Sequence, residues 1–228
     1  MRLKIDINKL DKELAGGIPE STAILVKGPP GAGKTIFCNQ FIYSGIKNKE
    51  SALYITFYAP PEEIKEKMKR LFGTFDEKLI IFVDVYSWKT GCISRNKYIV
   101  EQPSDLNELN IKITEAIMEN KNKNIKRATI DSLSTLLLYV PADLALRFIN
   151  VLISKLKANG ITTTVILEEG MHPETVENSL EAMTDGCIEL TVDKNRKKRL
   201  LRIARMPLTK HSLNWYEFDI TDKGIKFK

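Results

Sequence analysis

The octapeptide Gly28 to Thr35, GPPGAGKT, constrains this chain more than any other segment. It satisfies G-x-x-x-x-G-K-[ST], follows the apolar run Ala23-Ile24-Leu25-Val26 and leads into a helical pattern. Strand, glycine-rich loop and helix in that order make a phosphate cradle, because backbone N–H groups of the loop point inward at a nucleotide's phosphates. Gly31 and Gly33 permit backbone angles that a side chain would forbid. The candidate nucleotide-binding residues are therefore Gly28, Pro30, Gly31, Ala32, Gly33, Lys34, Thr35 and Ile36. Lys34 is placed to reach the β- and γ-phosphates, and the Thr35 hydroxyl to ligate Mg²⁺.

Around this loop, strand and helix patterns alternate, which predicts an α/β fold with a mostly parallel sheet flanked by helices. Strands are expected at Thr22–Lys27, Ala52–Phe57, Ile80–Val85, Arg127–Asp131 and Thr162–Leu167. Helices are expected from Thr35 to about Lys47, from Pro61, from Asp105 to about Asn120 behind an N-cap at Ser104, and from Pro141 or Asp143 to Asn159. On the Pro61 helix, Glu63/Lys67 and Glu66/Arg70 have the spacing of i,i+4 ion pairs. Trp88 to Pro103 reads as a loop of about sixteen residues, long enough to be a functional candidate. Its Trp88, Lys89, Arg95, Lys97 and Tyr98 suit a partner, a nucleic acid or packing on the chain itself. The last quarter changes character: Cys187–Val192, Arg199–Ala204 and Tyr216–Ile220 read as short antiparallel strands.

Composition narrows the classes. At 228 residues, residues 1–228 read as one domain, and a net charge of +6 is too mild to imply nucleic acid by itself. Cys38, Cys92 and Cys187 are odd in number and far apart, which favours reduced thiols and a cytoplasmic setting. The N-terminal MRLKIDINKLDKEL is charged throughout and offers no signal-peptide core. The most apolar stretch, Leu133 to Val140, falls far short of the ~20 residues of a membrane span.

A Mg²⁺-nucleotide site also needs a carboxylate at the end of a neighbouring strand. Ala128-Thr129-Ile130-Asp131 supplies it, so Thr35 and Asp131 are the candidate metal ligands, and Lys34 and Asp131 the candidate catalytic residues. The segment LDKELAGGIPESTAILVKGPPGAGKT resembles the opening of the RecA/RadA/KaiC superfamily, IDSLSTL its metal-binding strand, and DGCIEL with R-x-x-x-T-x-H…I-T-D-x-G-I the C-terminal strands of KaiC-type ATPases. The resemblance covers nearly the whole chain. It implies a RecA-like core, ATP and Mg²⁺ as ligands, and a homo-oligomer, hexameric in the family, with the nucleotide at the subunit interface. In that form the C-terminal strands reach the neighbour's nucleotide. The matching residues are Arg205, Thr209, His211 and Asp222, which from the residues alone read as ordinary strand and turn.

The chain departs from the pattern twice. Pro207 stands where the family's K-x-R-G-T-x-H carries arginine, and Phe57-Tyr58-Ala59 stands where it carries F-E-E, whose glutamate polarises the attacking water. ATP binding with weak or absent hydrolysis is the resulting expectation, in an oligomeric switch or regulator. An active ATPase or autokinase and a recombination accessory factor are the alternatives. Glu168 or Glu169, at the next strand's end, is either a substitute base or a solvated acid. DNA binding is disfavoured because Glu168 to Gly186 carries six acidic residues and no Lys or Arg. The cluster Lys194, Arg196, Lys197, Lys198 and Arg199 suits a solvated hairpin turn.

Overall fold

The computed structural model describes residues 1–90 and 96–228. In chain order the elements are β1 (Arg2–Leu3), α1 (Asn8–Glu13), β2 (Ile18–Pro19), β3 (Ala23–Gly28), α2 (Lys34–Lys47), β4 (Ser51–Thr56), α3 (Pro61–Phe72), β5 (Ile80–Asp84), β6 (Tyr98–Ile99), α4 (Leu106–Glu119) and β7 (Ile125–Asp131). There follow α5 (Leu133–Tyr139), α6 (Ala142–Ala158), β8 (Thr162–Glu168), α7 (Glu174–Met183), β9 (Gly186–Asp193), β10 (Lys198–Arg205), β11 (Tyr216–Thr221) and β12 (Gly224–Phe227). Among the described residues ten strands form one sheet in the order β12-β11-β10-β9-β3-β8-β7-β4-β5-β6.

From β9 to β6 neighbouring strands run parallel, and β10, β11 and β12 extend the sheet antiparallel. The central strands are buried on both faces, which is why AILV and ALYIT read as unbroken apolar runs rather than alternations. Side-chain alternation still sorts them: Leu25, Leu53 and Ile55 face a core with α4, α5 and α6, while Ile24, Val26 and Tyr54 face one with α1, α2 and the C-terminal strands.

Several expectations change in detail. Ser104 is not the cap of α4; the Asp105 carboxylate accepts from the amides of Asn107 and Glu108 and caps it. The segment after Trp88 is not simply a loop, because Tyr98–Ile99 adds an edge strand beside Val83 and Asp84. Trp88 packs edge-on against Tyr139 with ring centroids 5.8 Å apart, and Tyr98 and Lys97 both bond Glu119, so these side chains are used within the chain. Cys92 and Arg95 lie outside the described residues. β9 is parallel to β3 and antiparallel only to β10. Two helices the periodicity did not indicate, α5 and α7, are present, and the acidic Glu168–Gly186 segment is largely α7. Cys38 and Cys187 are buried and unpaired, and burial pushes the Cys187 thiol up to about 12. Among the described residues no helix is long and apolar enough to cross a membrane.

One buried cation pins α2 to the sheet. Arg127, 1% exposed, donates from Nε to Glu50 Oε2 (2.6 Å) and from Nη1 to the carbonyls of Lys4 (2.6 Å) and Phe41 (2.9 Å). A Cβ at Gly45 would come within 2.5 Å of its Nε, so α2 needs glycine there to seat the guanidinium. Removing one partner of a buried ion pair is costly, so Arg127→Met should lower the unfolding free energy by about 3 kcal/mol in urea titrations. The exposed change Met118→Gln should stay within about 0.5 kcal/mol. A loss below about 1 kcal/mol for Arg127→Met would contradict this role.

Candidate nucleotide site

Parallel sheets place ligands beyond the carboxyl ends of their strands, near a switch in strand order. Here β3 and β4 are consecutive in the parallel run but are separated by β8 and β7. The chain leaves β3 at Gly28, and the neighbouring ends carry Glu168 on β8, Asp131 on β7 and Thr56 on β4. A pocket of about 660 Å³ opens there, and Pro30, Gly31, Gly33, Lys34, Thr35 and Ile36 form one wall of it.

The loop has the backbone its sequence called for. Gly31 and Gly33 adopt φ of 78° and 105°, and Gly33 also caps α2. Gly28 is required for a second reason: a Cβ there would lie 1.9 Å from the Leu190 carbonyl oxygen of β9. Behind Gly33 stand Ile220 and Phe218 of β11, whose atoms would be 3.3 and 3.7 Å from an added Cβ, so the C-terminal strands buttress the loop. The first turn of α2 has neither an acidic residue nor a side-chain cap, which leaves its unpaired amides and the positive end of the helix dipole for an anion. Gly28 and Ala32 support the loop without lining the pocket; Ala32 is buried and its amide bonds the Pro29 carbonyl.

Lys34 is 4% exposed, and its ammonium donates to three oxygens: the Gly28 and Pro29 carbonyls, both at 2.8 Å, and Glu168 Oε2 at 2.7 Å. Opposite it, Asp131 is almost wholly buried. Burial raises its carboxyl to about 6; hydrogen bonds from Tyr54 and Thr35 oppose the rise, Glu168's negative charge adds to it, and the Lys34 charge lowers it. The Tyr54 phenol oxygen lies 3.1 Å from Asp131 Oδ2 and 3.0 Å from Asn39 Oδ1. The phenol has one proton, so it donates to one of these two acceptors at a time, and the charged carboxylate is the stronger. The residues present fit a Mg²⁺-nucleotide. Glycines open a backbone cradle, a lysine stands at its floor, and the Thr35 hydroxyl and Asp131 carboxylate line the same pocket, oxygen donors that suit a divalent cation.

The structure brings together most, but not all, of the residues singled out from the sequence. Of the two strand-end acids, Glu168 lines the pocket and pairs with Lys34, whereas Glu169 is exposed and gives its amide to the Gly28 carbonyl. Arg205, Thr209, His211 and Asp222 lie apart from this chain's own loop. Arg205 bonds the Glu181 and Thr184 carbonyls, Thr209 accepts from Arg2, and His211 Nδ1 lies 3.1 Å from the Ser212 carbonyl oxygen. Asp222 is exposed in the β11–β12 turn. Sequence reasoning missed Tyr54, which read as one more apolar strand residue. It also missed Arg199, which leaves its basic cluster to approach the Gly31 carbonyl at 3.5 Å. Strand parity was the available signal for Tyr54, since residues 54 and 56 share a face.

Comparisons with known proteins agree with this geometry. The family model described as "ATPase: KaiC" matches residues 3–228. A UPF0273 protein of Methanocaldococcus jannaschii is 36% identical over 238 residues, spanning 98% of this chain and 95% of the relative. A UPF0273 protein of Pyrococcus horikoshii is 34% identical over 237 residues, spanning 98% and 92%. The crystal structure of a KaiC-like protein from Pyrococcus horikoshii OT3 overlays with a TM-score of 0.78 at 26% identity, covering 100% of this chain and 99% of that one. A phosphate loop at the carboxyl edge of a parallel sheet, an aspartate across from its lysine and a match running the length of the chain make this protein a member of the KaiC family of ATPases.

Proposed function

We propose that the protein is a nucleotide-dependent switch. It binds Mg·ATP in the pocket above β3, β7 and β8, holds it between neighbouring copies of a homo-oligomer, and hydrolyses it slowly. Lys34 and the loop amides would take the phosphates, and Thr35 with Asp131 would hold the magnesium ion. When bound, that ion supplies charge neutralisation at the phosphate oxygens. Tyr54 holds the Asp131 carboxylate on its strand end, so the metal ligand is fixed before any cation arrives.

Slow hydrolysis rests on one observation: the turn directly after β4, Phe57-Tyr58-Ala59, offers no carboxylate to the pocket. Tyr58, 58% exposed, stands at the pocket wall with the Lys67 ammonium 5.7 Å from its ring centroid. The adjacent Ala59 is buried, and its carbonyl is tied to the Thr56 hydroxyl at 2.7 Å. Neither orients a water as a carboxylate base does. Among the described residues lining the pocket the carboxylates are Asp131 and Glu168, and Glu168 is engaged by Lys34.

The assembly reading rests on the placement of Arg205, Thr209, His211 and Asp222. Arg205 at the end of β10, Thr209 and His211 in the β10–β11 connection and Asp222 in the β11–β12 turn all lie outside the lining of this chain's own pocket, as a role at a neighbour's nucleotide requires. Leu208 and Leu213, in the same connection, are strongly exposed. DNA is not part of this reading. The acidic α7 turns Glu181 to Lys27, and the following Asp185 pairs with Lys157.

A second reading is favoured by the position of Glu168. If it breaks from Lys34 it can act as general base, which would make the protein an active ATPase without the family's glutamate pair.

Single-turnover ATP hydrolysis separates the two readings. The switch reading expects a rate ~10²-fold or more below that of a relative carrying the glutamate pair, with Tyr58→Glu raising it at least ~10-fold. A parent rate equal to the relative's, abolished in Glu168→Gln, would establish the second reading instead. The assembly claim is read by light scattering on a sizing column. Mg·ATP should move the protein to a larger species, and the double change Thr209→Ala with His211→Ala should prevent the move. An elution mass indifferent to nucleotide would refute it.

A further inference from the structure

We propose that Glu168 is a built-in competitor for the phosphate-loop lysine, and that it weights the site toward nucleoside diphosphates over triphosphates. The inference deepens the nucleotide-binding reading above and rests on it.

An ammonium has three N–H donors, and Lys34 has spent all three at 2.7–2.8 Å, on the carbonyls of Gly28 and Pro29 and on Glu168 Oε2. A phosphate oxygen that engages Lys34 must therefore displace one of these acceptors. The two carbonyls belong to the loop backbone, and Gly28 O also receives the Glu169 amide at 3.0 Å, which ties it to the end of β8. Glu168 is the movable one. Its carboxylate sits on a side chain that is 28% exposed and reaches in from the pocket's edge.

The strand end beneath it does not yield. The Glu168 amide donates to the Ser134 hydroxyl of α5 at 2.8 Å, so displacement is confined to the side chain, which stays within the same pocket. A carboxylate held there faces any incoming phosphate as a like charge and contests the same cation. The conflict grows with the charge nearest Lys34. The γ-phosphate adds both a rival for the ammonium and a repulsive neighbour for Glu168, whereas a diphosphate lacks that group. Asp131, the other carboxylate of the pocket, does not share the role. It lies across the pocket, hydrogen-bonded by Tyr54, where a divalent cation would neutralise it. Among the described residues Glu168 has only Lys34 as its ion-pair partner, and loses it where a phosphate takes the ammonium. Glu168 is thus a specificity-determining side chain acting through Lys34, and it makes the diphosphate the resting ligand at equal concentrations.

The test is calorimetric titration, with magnesium, of ADP and of a non-hydrolysable ATP analogue into the parent, Glu168→Gln and Glu168→Ala. The second variant guards against the amide of Gln simply re-forming the bond to Lys34, and thermal melts confirm that each variant is folded. The proposal expects the parent to prefer ADP. Glu168→Ala should tighten the triphosphate analogue at least tenfold while changing ADP less than threefold, with Glu168→Gln intermediate. Equal changes for the two ligands, no change, or weaker analogue binding would overturn it; weaker binding is what a group that helps hold the γ-phosphate would give. A parent that binds neither nucleotide would remove the nucleotide reading itself, an outcome distinct from a parent that binds both without preference.

Discussion

The Lys34 ammonium is the point on which the site is built. It is buried, it closes the loop back onto the end of β3 through the Gly28 and Pro29 carbonyls, and it crosses to β8 through Glu168. A buried cation is tolerated only when paired and fully hydrogen-bonded. Here the loop's own backbone supplies two of the partners, so the lysine fixes the loop as much as the loop fixes the lysine. The other features follow from keeping that arrangement at the sheet edge. Glycine at 28 lets β9 pass close by, glycine at 33 turns into α2, and Phe218 with Ile220 closes the back of the turn.

Around that centre the charges are arranged asymmetrically. Asp131 is buried beneath the Tyr54 phenol, and its carboxyl is raised to about 6 chiefly because it has been taken out of water. Glu168 is half-buried on the side of the lysine. Two carboxylates with different environments flank one cation, and the different roles proposed for them rest on environment rather than residue type. The place after β4, where the family pattern has glutamates, is left to a phenol and a methyl group, and the slow hydrolysis proposed above rests on that difference.

How much of this could be read from the chain depended on whether the signal was local. The phosphate loop, its flanking strand and helix, and Asp131 at the end of an apolar run are contiguous patterns, and the elements they imply are present within a residue or two. The two ion pairs on α3 followed from spacing alone. What escaped was set by contacts far apart in sequence. Glu168 and Glu169 are indistinguishable as residues, and only the strand register and the reach of Lys34 decide which enters the pocket. Tyr54 is apolar by pattern and polar by neighbour. Arg199 belongs to a basic run but leans over the Gly31 carbonyl. α5 was hidden because LSTLLLY is apolar nearly all round and short, which leaves no periodicity to detect. α7, with residues 169–173 between it and β8 and 184–185 between it and β9, was hidden because its acidic composition read as a loop.

The central claim is that a triphosphate tail engages the loop amides and Lys34. Calorimetric titration of Mg·ATP into the parent and into Lys34→Ala tests it most directly. The account predicts a saturable, magnesium-dependent heat for the parent and its loss in the variant, with both proteins melting as cooperatively folded species. No heat for the parent, or identical binding by Lys34→Ala, would contradict it.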